Sequence, residues 1–177
     1  MLPSREKPVR GYTNADVLIT GGLGFIGSTL AIELVKLGAH VTIVDALIPN
    51  YGGNLFNIEP VREKVKVVYT DIRNAHLMND LVRGRDIIFN FAGTLSHVDS
   101  MIDPFTDLDI NCRAQLSLLE ACRQFNPKVK ILFAGTRNQY GRAQYLPVDE
   151  AHPQVPIDIN GINNIADCFG HFPAVNR

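Results

Sequence analysis

A chain of 177 residues, 46% hydrophobic and 20% charged, has enough apolar content for one well-buried core, so a single domain is the default. The formal net charge is -1, and no predicted helix carries a basic stripe, which leaves nucleic acid or an acidic membrane surface without an electrostatic foothold and favours a small-molecule partner. Three cysteines lacking C-x-x-C or histidine pairing argue against a disulfide framework and against a metal site, while no apolar run approaches the roughly 18 residues of a bilayer span; a reducing, cytoplasmic setting is expected.

After a polar leader, Val17 to Thr20 reads as a strand, the run GGLGFIG as a glycine turn, and Ser28 to Leu37 as a helix stopped by Gly38. His40 to Val44 and Val65 to Tyr69 are β-branched and predict two more strands. Between them, Tyr51 to Arg62 contains Gly-Gly, Asn and Pro and predicts irregular backbone. Helical spacing follows over Ala75 to Arg83, then a strand over Asp86 to Phe91. One long helix is expected from Phe105 to Phe125, ended by Asn126-Pro127, and a last strand over Lys130 to Ala134.

Strands alternating with helices imply parallel pairing with right-handed crossovers, hence an α/β fold with a doubly wound parallel sheet over residues 1–143. Residues 144–177, punctuated by Pro147, Pro153, Pro156 and Pro173, predict an irregular tail with a turn or two of helix near Ile159 to Phe169. The expectation is one cofactor domain lacking most of a substrate lobe, because no second run of strands follows.

Gly21, Gly22, Gly24 and Gly27 fit both G-x-G-x-x-G, starting at Gly22, and G-x-x-G-x-x-G, starting at Gly21. In either register glycines allow a tight turn and close approach of backbone to a pyrophosphate, and the helix that follows offers unpaired N–H groups and the positive end of its dipole. Asp45 closes the second strand about 20 residues on, where a carboxylate accepts hydrogen bonds from a ribose hydroxyl. That charge repels a 2′-phosphate, and Ala46-Leu47-Ile48 supply no arginine to bind one, so NAD is favoured over NADP.

With these residues in order, the chain resembles the extended short-chain dehydrogenase/reductase family, in particular its nucleotide-sugar epimerases and dehydratases such as UDP-glucose 4-epimerase. The resemblance rests on TGGLGFIG at 20–27, Asp45, Asp71-Ile72, Asn90-Phe91-Ala92-Gly93, Asp103-Pro104, Asn111 with LLEA at 118–121, and FAGTRNQYG at 133–141. It implies a Rossmann arrangement in which Gly21, Gly24, Phe25, Ile26 and Gly27 meet the pyrophosphate and Asp45 the adenosine ribose. It further implies that Asp71 and Ile72 recognise adenine, unless Asp71 is only a helix cap. Phe91, Ala92 and Gly93 then lie beside the nicotinamide ribose, and Asn111 is either near the cofactor or a buried core amide. Ala114 departs from the family's usual glycine.

Thr136 falls at the family's catalytic serine or threonine, or else caps a turn after the fifth strand. The family's Tyr-x-x-x-Lys pair falls on Asn160 and Asn164, with Pro156 before and Gly161 after the first position. An amide neither takes up a full proton nor carries the cation that lowers a phenol's pKa, so Asn160 can orient a hydroxyl but cannot deprotonate one. Tyr140, Tyr145, or a pair of His97 with Asp99 are the remaining candidates for acid/base work. Two expectations follow. One is an NAD-dependent nucleotide-sugar epimerase or dehydratase transferring hydride through a keto intermediate. The other is an NAD-binding pseudoenzyme or fragment without turnover. The resemblance also implies a homodimer formed through the long helix and the Tyr-x-x-x-Lys helix.

Overall fold

In the strand Asp16–Thr20 (β1), Leu18 faces one side of the sheet and Val17 and Ile19 the other, because successive Cβ atoms alternate. All three are fully buried, which requires cover on both faces and explains why the strand reads as a continuous apolar run. This is a computed structural model that describes residues 11–49, 51–94 and 96–174, with 167–174 given by their backbone alone. Leader residues 1–10 and the thiol of Cys168 lie outside the described residues.

From β1 the chain runs through helix α1 (Phe25–Lys36), strand β2 (His40–Asp45), a 3₁₀ segment Leu55–Lys64, strand β3 (Lys66–Tyr69) and helix α2 (Ala75–Leu81). Strand β4 (Ile87–Asn90) leads into helices α3 (His97–Ile102) and α4 (Pro104–Leu108), a π turn Asp109–Arg113 and helix α5 (Ala114–Phe125). Strand β5 (Lys130–Phe133), a 3₁₀ turn Arg137–Tyr140 and helix α6 (Ile159–Ala174) complete the order. The five strands pair in the order β3-β2-β1-β4-β5, every pair parallel, with Ile19 opposite Ile43 on one side and Phe89 on the other.

Each face of the sheet carries its own apolar layer. Leu18, Val44 and Ile88 pack with Met78 of α2 and Leu118, Ala121 and Cys122 of α5. Burial pushes the Cys122 thiol up to about 12, so it behaves as a small core hydrophobe. Val17, Ile19, Ile43 and Phe89 pack with Ala31 and Leu34 of α1 and with Ile58 and Val61 of the 3₁₀ segment.

Three elements differ from the sequence expectation. Residues 55–64 are 3₁₀ rather than irregular, because Asn54 Oδ1 accepts from the Phe56 N–H at 2.9 Å and Ile58 and Val61, three apart, reach the same core. The long helix is preceded by α3 and broken at its start: Ser96 caps α3, Asp103 caps α4 with Pro104 in its first turn, and the π turn separates α4 from α5. Residues 159–174 form sixteen residues of helix instead of a turn or two, with the Asp158 carboxylate accepting from the Gly161 N–H at 2.6 Å to cap the first turn.

Candidate functional site

The chain leaves β1 towards β2 and β3 on one side and returns to β4 and β5 on the other. A crevice therefore opens beyond the carboxyl ends of β1 and β4, where open α/β sheets bind ligands. A groove of about 400 Å³ lies there. One wall is the glycine turn and the start of α1, lined by Gly21, Gly24, Phe25, Ile26 and Gly27. Asp45 stands at the end of β2, Asp71 and Ile72 follow β3, and Phe91, Ala92 and Gly93 form the far wall after β4. All eleven come from four separate strand ends, and the groove is what brings them together.

The turn holds its shape by close approach. A Cβ on Gly27 would sit 2.5 Å from the Gly21 carbonyl oxygen, so only glycine lets α1 rest on the turn before it. No side chain caps α1, and its first-turn N–H groups have no acceptor one turn back. Asp45 is held in place by backbone: Oδ2 accepts from Leu23 N at 3.0 Å and Oδ1 from Leu47 N at 2.9 Å. Each carboxylate oxygen keeps a second lone pair for a ligand hydroxyl.

Asp71 is not the cap of α2; Asn74 is, its Oδ1 accepting from the Leu77 N–H. Instead Asp71 faces Arg73 in a fork, with Oδ2 to the guanidinium Nη2 at 2.6 Å and Oδ1 to Nε at 3.0 Å and to the backbone N–H at 2.8 Å. Burial works to raise the Asp71 carboxyl, but the bonds and charge of Arg73 outweigh it and hold the pKa below the ordinary value.

Beneath the far wall runs a buried polar chain. The Thr20 hydroxyl donates to Asn90 Oδ1 at 2.7 Å and accepts from the Phe91 and Ala92 N–H groups, while Asn90 Nδ2 donates to Gln115 Oε1 at 2.6 Å. Gln115 closes the chain onto the carbonyls of Ala92 and Ile110. The apolar-looking loop at 91–93 is thus fixed from below by satisfied hydrogen bonds, the condition for burying polar groups at little cost.

A second, smaller cavity of about 70 Å³ adjoins the groove, and Asn111, Thr136, Asn160 and Asn164 contribute to its lining. Asn111 lines this cavity and not the groove; it sits behind the loop, with Oδ1 accepting from Thr94 N at 2.9 Å. Thr136 Oγ1 accepts from Asn138 N at 3.3 Å, capping the 3₁₀ turn while its hydroxyl proton remains available. No residue lining the cavity carries an ionisable side chain.

Asn160 does not point its amide at a ligand hydroxyl. It is 2% exposed, and its Nδ2 donates to the Thr94 carbonyl at 3.1 Å and to Asp107 Oδ2 at 2.9 Å. Asp107, equally buried, is the hub. Its Oδ2 also accepts from the Thr94 hydroxyl at 2.6 Å and Asn111 Nδ2 at 3.1 Å, and its Oδ1 from Asn163 Nδ2 at 2.7 Å. Among the described residues it has no cationic partner. Hydrogen bonds alone surround the carboxylate. Asn164 turns back along its own helix and donates to the Asn160 carbonyl at 2.8 Å.

The other acid/base candidates are also placed elsewhere. Tyr145 donates to Asp149 Oδ1 at 2.7 Å, and this bond, with burial behind it, raises its phenol pKa, the wrong direction for a base. Tyr140 and Tyr145 both pack against His152, and neither lines the cavity. His97 pairs through Nδ1 with Asp158 Oδ2 at 2.8 Å and not with Asp99, tying α3 to the start of α6.

Sequence reading singled out Asn160 and Asn164 as one helical face and missed Asp107, Thr94, Asn163 and Asp158. A signal was present in part: Asp107 and Asn111 are four apart, and Asn160 and Asn163 three apart, so each pair shares a face. Nothing in the sequence says that the two faces meet.

The chain matches the family model described as GDP-mannose 4,6 dehydratase over residues 18–159. It is 32% identical to the UDP-glucose 4-epimerase of Lacticaseibacillus casei over 152 residues, which is 85% of this chain and 44% of that protein. The structure superposes on UDP-glucose 4-epimerase from Brucella ovis in complex with NAD with a TM-score of 0.78 at 25% identity, covering 88% of this chain and 46% of the other. On the dTDP-glucose 4,6-dehydratase of Streptomyces venezuelae, solved with NAD bound, the TM-score is 0.80 at 26% identity, covering 88% and 50%. The chain spans less than half the length of the curated relatives it matches.

Two measurements test this geometry. A carboxylate whose folded pKa is depressed contributes stability above its unfolded pKa and loses it as pH falls through the folded value. Arg73→Ala removes the guanidinium's two bonds and its charge but leaves the backbone N–H bond and burial, so a carbon-13 NMR titration is expected to move the Asp71 pKa upward; an unshifted titration refutes the fork. Asp107→Ala strands four buried donors and is expected to cost at least about 3 kcal/mol in urea unfolding; a loss under about 1 kcal/mol would show that the hub is dispensable.

Proposed function

The chain belongs to the GDP-mannose 4,6 dehydratase family, within the extended short-chain dehydrogenase/reductases that comprise nucleotide-sugar epimerases and dehydratases, and on that footing we propose that it binds NAD and does not turn over a sugar by the family's tyrosine route. The observation that carries the reading is the contrast between the two cavities. The larger is equipped for a dinucleotide, and the smaller lacks an ionisable side chain.

For NAD, the groove's volume falls within the range of about 300 to 1,000 Å³ common for ligand sites. The Gly27 contact leaves backbone, not a side chain, facing the pyrophosphate. Asp45 accepts from the adenosine ribose, Ile72 offers its N–H and Asp71 its carboxylate to adenine, and Phe91 to Gly93 flank the nicotinamide end, with Asn111 steadying that loop through Thr94. NAD supplies a hydride acceptor. What this chain would have to add is a proton acceptor beside Thr136.

Asn160 is a poor candidate for that role, since an amide has no useful basicity and both its N–H bonds end on Thr94 and Asp107. A lost general base costs about 10²- to 10⁴-fold in rate. The second reading, an active nucleotide-sugar epimerase or dehydratase, is favoured by family membership and by the Thr136 hydroxyl facing the same cavity.

Self-association fits both readings. Val98, Met101 and Ile102 on α3 and Phe105 on α4 are apolar and each at least 60% exposed, side chains suited to a second copy.

Calorimetry is expected to show NAD binding that Asp45→Ala weakens by at least about tenfold, with no NADH or keto-sugar signal from UDP-, GDP- or dTDP-sugars. Absence of NAD binding overturns the proposal, and sugar turnover abolished by Thr136→Ala replaces it with the second reading. Light scattering is expected to report a dimer that Phe105→Asp converts to monomer; a monomeric unsubstituted chain overturns self-association.

A further inference from the structure

Resting on the NAD reading, we propose that Asn57, on the 3₁₀ segment between β2 and β3, is a positioning residue for the diphosphate cradle. The cradle depends on the middle of the glycine turn, and Leu23 is the residue there that faces away from the groove: its side chain is fully buried among Ile43, Ala31 and Ile58. Its backbone is held at both ends. The N–H donates to Asp45 Oδ2 at 3.0 Å, and the carbonyl accepts from Asn57 Nδ2 at 2.8 Å and from Asn54 N at 3.1 Å.

That carbonyl belongs to the Leu23–Gly24 peptide, and on its far side Gly24 has no side chain to resist rotation of the peptide. Gly24 is the residue before the first turn of α1, and its own N–H returns to the Gly21 carbonyl at 3.1 Å. Rotation of the Leu23–Gly24 peptide would therefore carry the start of α1, with its unpaired N–H groups, out of line with a bound diphosphate. The side chain that opposes it is Asn57, which holds the carbonyl of that peptide from a segment 34 residues further along the chain, while Asp45 of β2 holds the N–H of the preceding Gly22–Leu23 peptide.

The 3₁₀ conformation is what makes the reach work. Asn54 caps the segment, and Ile58 and Val61 anchor it in the core, leaving Asn57 one residue before the buried Ile58 and directed at the turn. Asn57 is not itself a groove-lining residue, so its action on ligand runs through Leu23.

Hydrogen exchange by NMR on the ligand-free chain tests this without requiring NAD. Asn57→Ala, and the isosteric Asn57→Asp that removes the donor without changing volume, are expected to speed exchange of the Leu23 and Gly24 N–H groups about tenfold while Ile19 in β1 is unchanged. With ligand, both variants are expected to bind NAD and ADP about tenfold more weakly and adenosine as before, because adenosine meets Asp45 and Asp71 but not the cradle. Unchanged exchange at Leu23 and Gly24 overturns the proposal, as does equal weakening for ADP and adenosine. If the unsubstituted chain gives no heat with NAD, the function reading falls while the exchange data still decide whether Asn57 holds the turn.

Discussion

The site depends on one close approach: the first turn of α1 lying on the glycine turn that precedes it. Gly27 stands where any side chain would collide with the Gly21 carbonyl, and the backbone contact it permits sets where the uncapped N–H groups of the helix point. Everything else on that side serves the contact. The apolar layer of Ile43, Ala31 and Leu34 holds α1 to the sheet, and Asp45 and Asn57 hold the N–H and the carbonyl of Leu23 in between. A ligand that needs backbone amides and a carboxylate at fixed separation finds them because packing, not local propensity, supplies the separation.

On the other side of the groove the balance is different. Here the chain has assembled a buried carboxylate solvated by side-chain amides and a hydroxyl. Such a network is stable only if each member is satisfied, and here each donor finds Asp107 or a backbone carbonyl. Asn160 holds α6 against α4 and the Thr94 loop. The His97–Asp158 pair ties α3 to the start of α6 beside the same junction.

Much of the fold was legible because it is written in short-range patterns. The five strands follow from β-branched runs, and their parallel pairing from their alternation with helices. The glycine spacing, with Asp45 at a strand end, gave the groove its first wall. The misses share a cause. The 3₁₀ segment was hidden because Gly-Gly and Pro60 look like breakers, yet the anchoring of Ile58 and Val61 in the core overrides them. Helix α6 was underestimated because its propensity is weak and its stability comes from contacts with α4, the π turn and α5.

The sequence by itself determined the strand and helix faces, the glycine turn, and the absence of a phenol and an ammonium at positions 160 and 164, since these follow from residue identity and spacing. Only the tertiary structure decided what the replacements do. Asn111 of the π turn and Asn160 and Asn163 of α6 converge on the carboxylate of Asp107 in α4, and Asn160 also reaches the Thr94 carbonyl in the loop after β4. Hydrogen bonds across more than fifty residues leave no trace in local periodicity, so the structural joint made by Asn160 and Asn163 becomes visible only when the chain is folded.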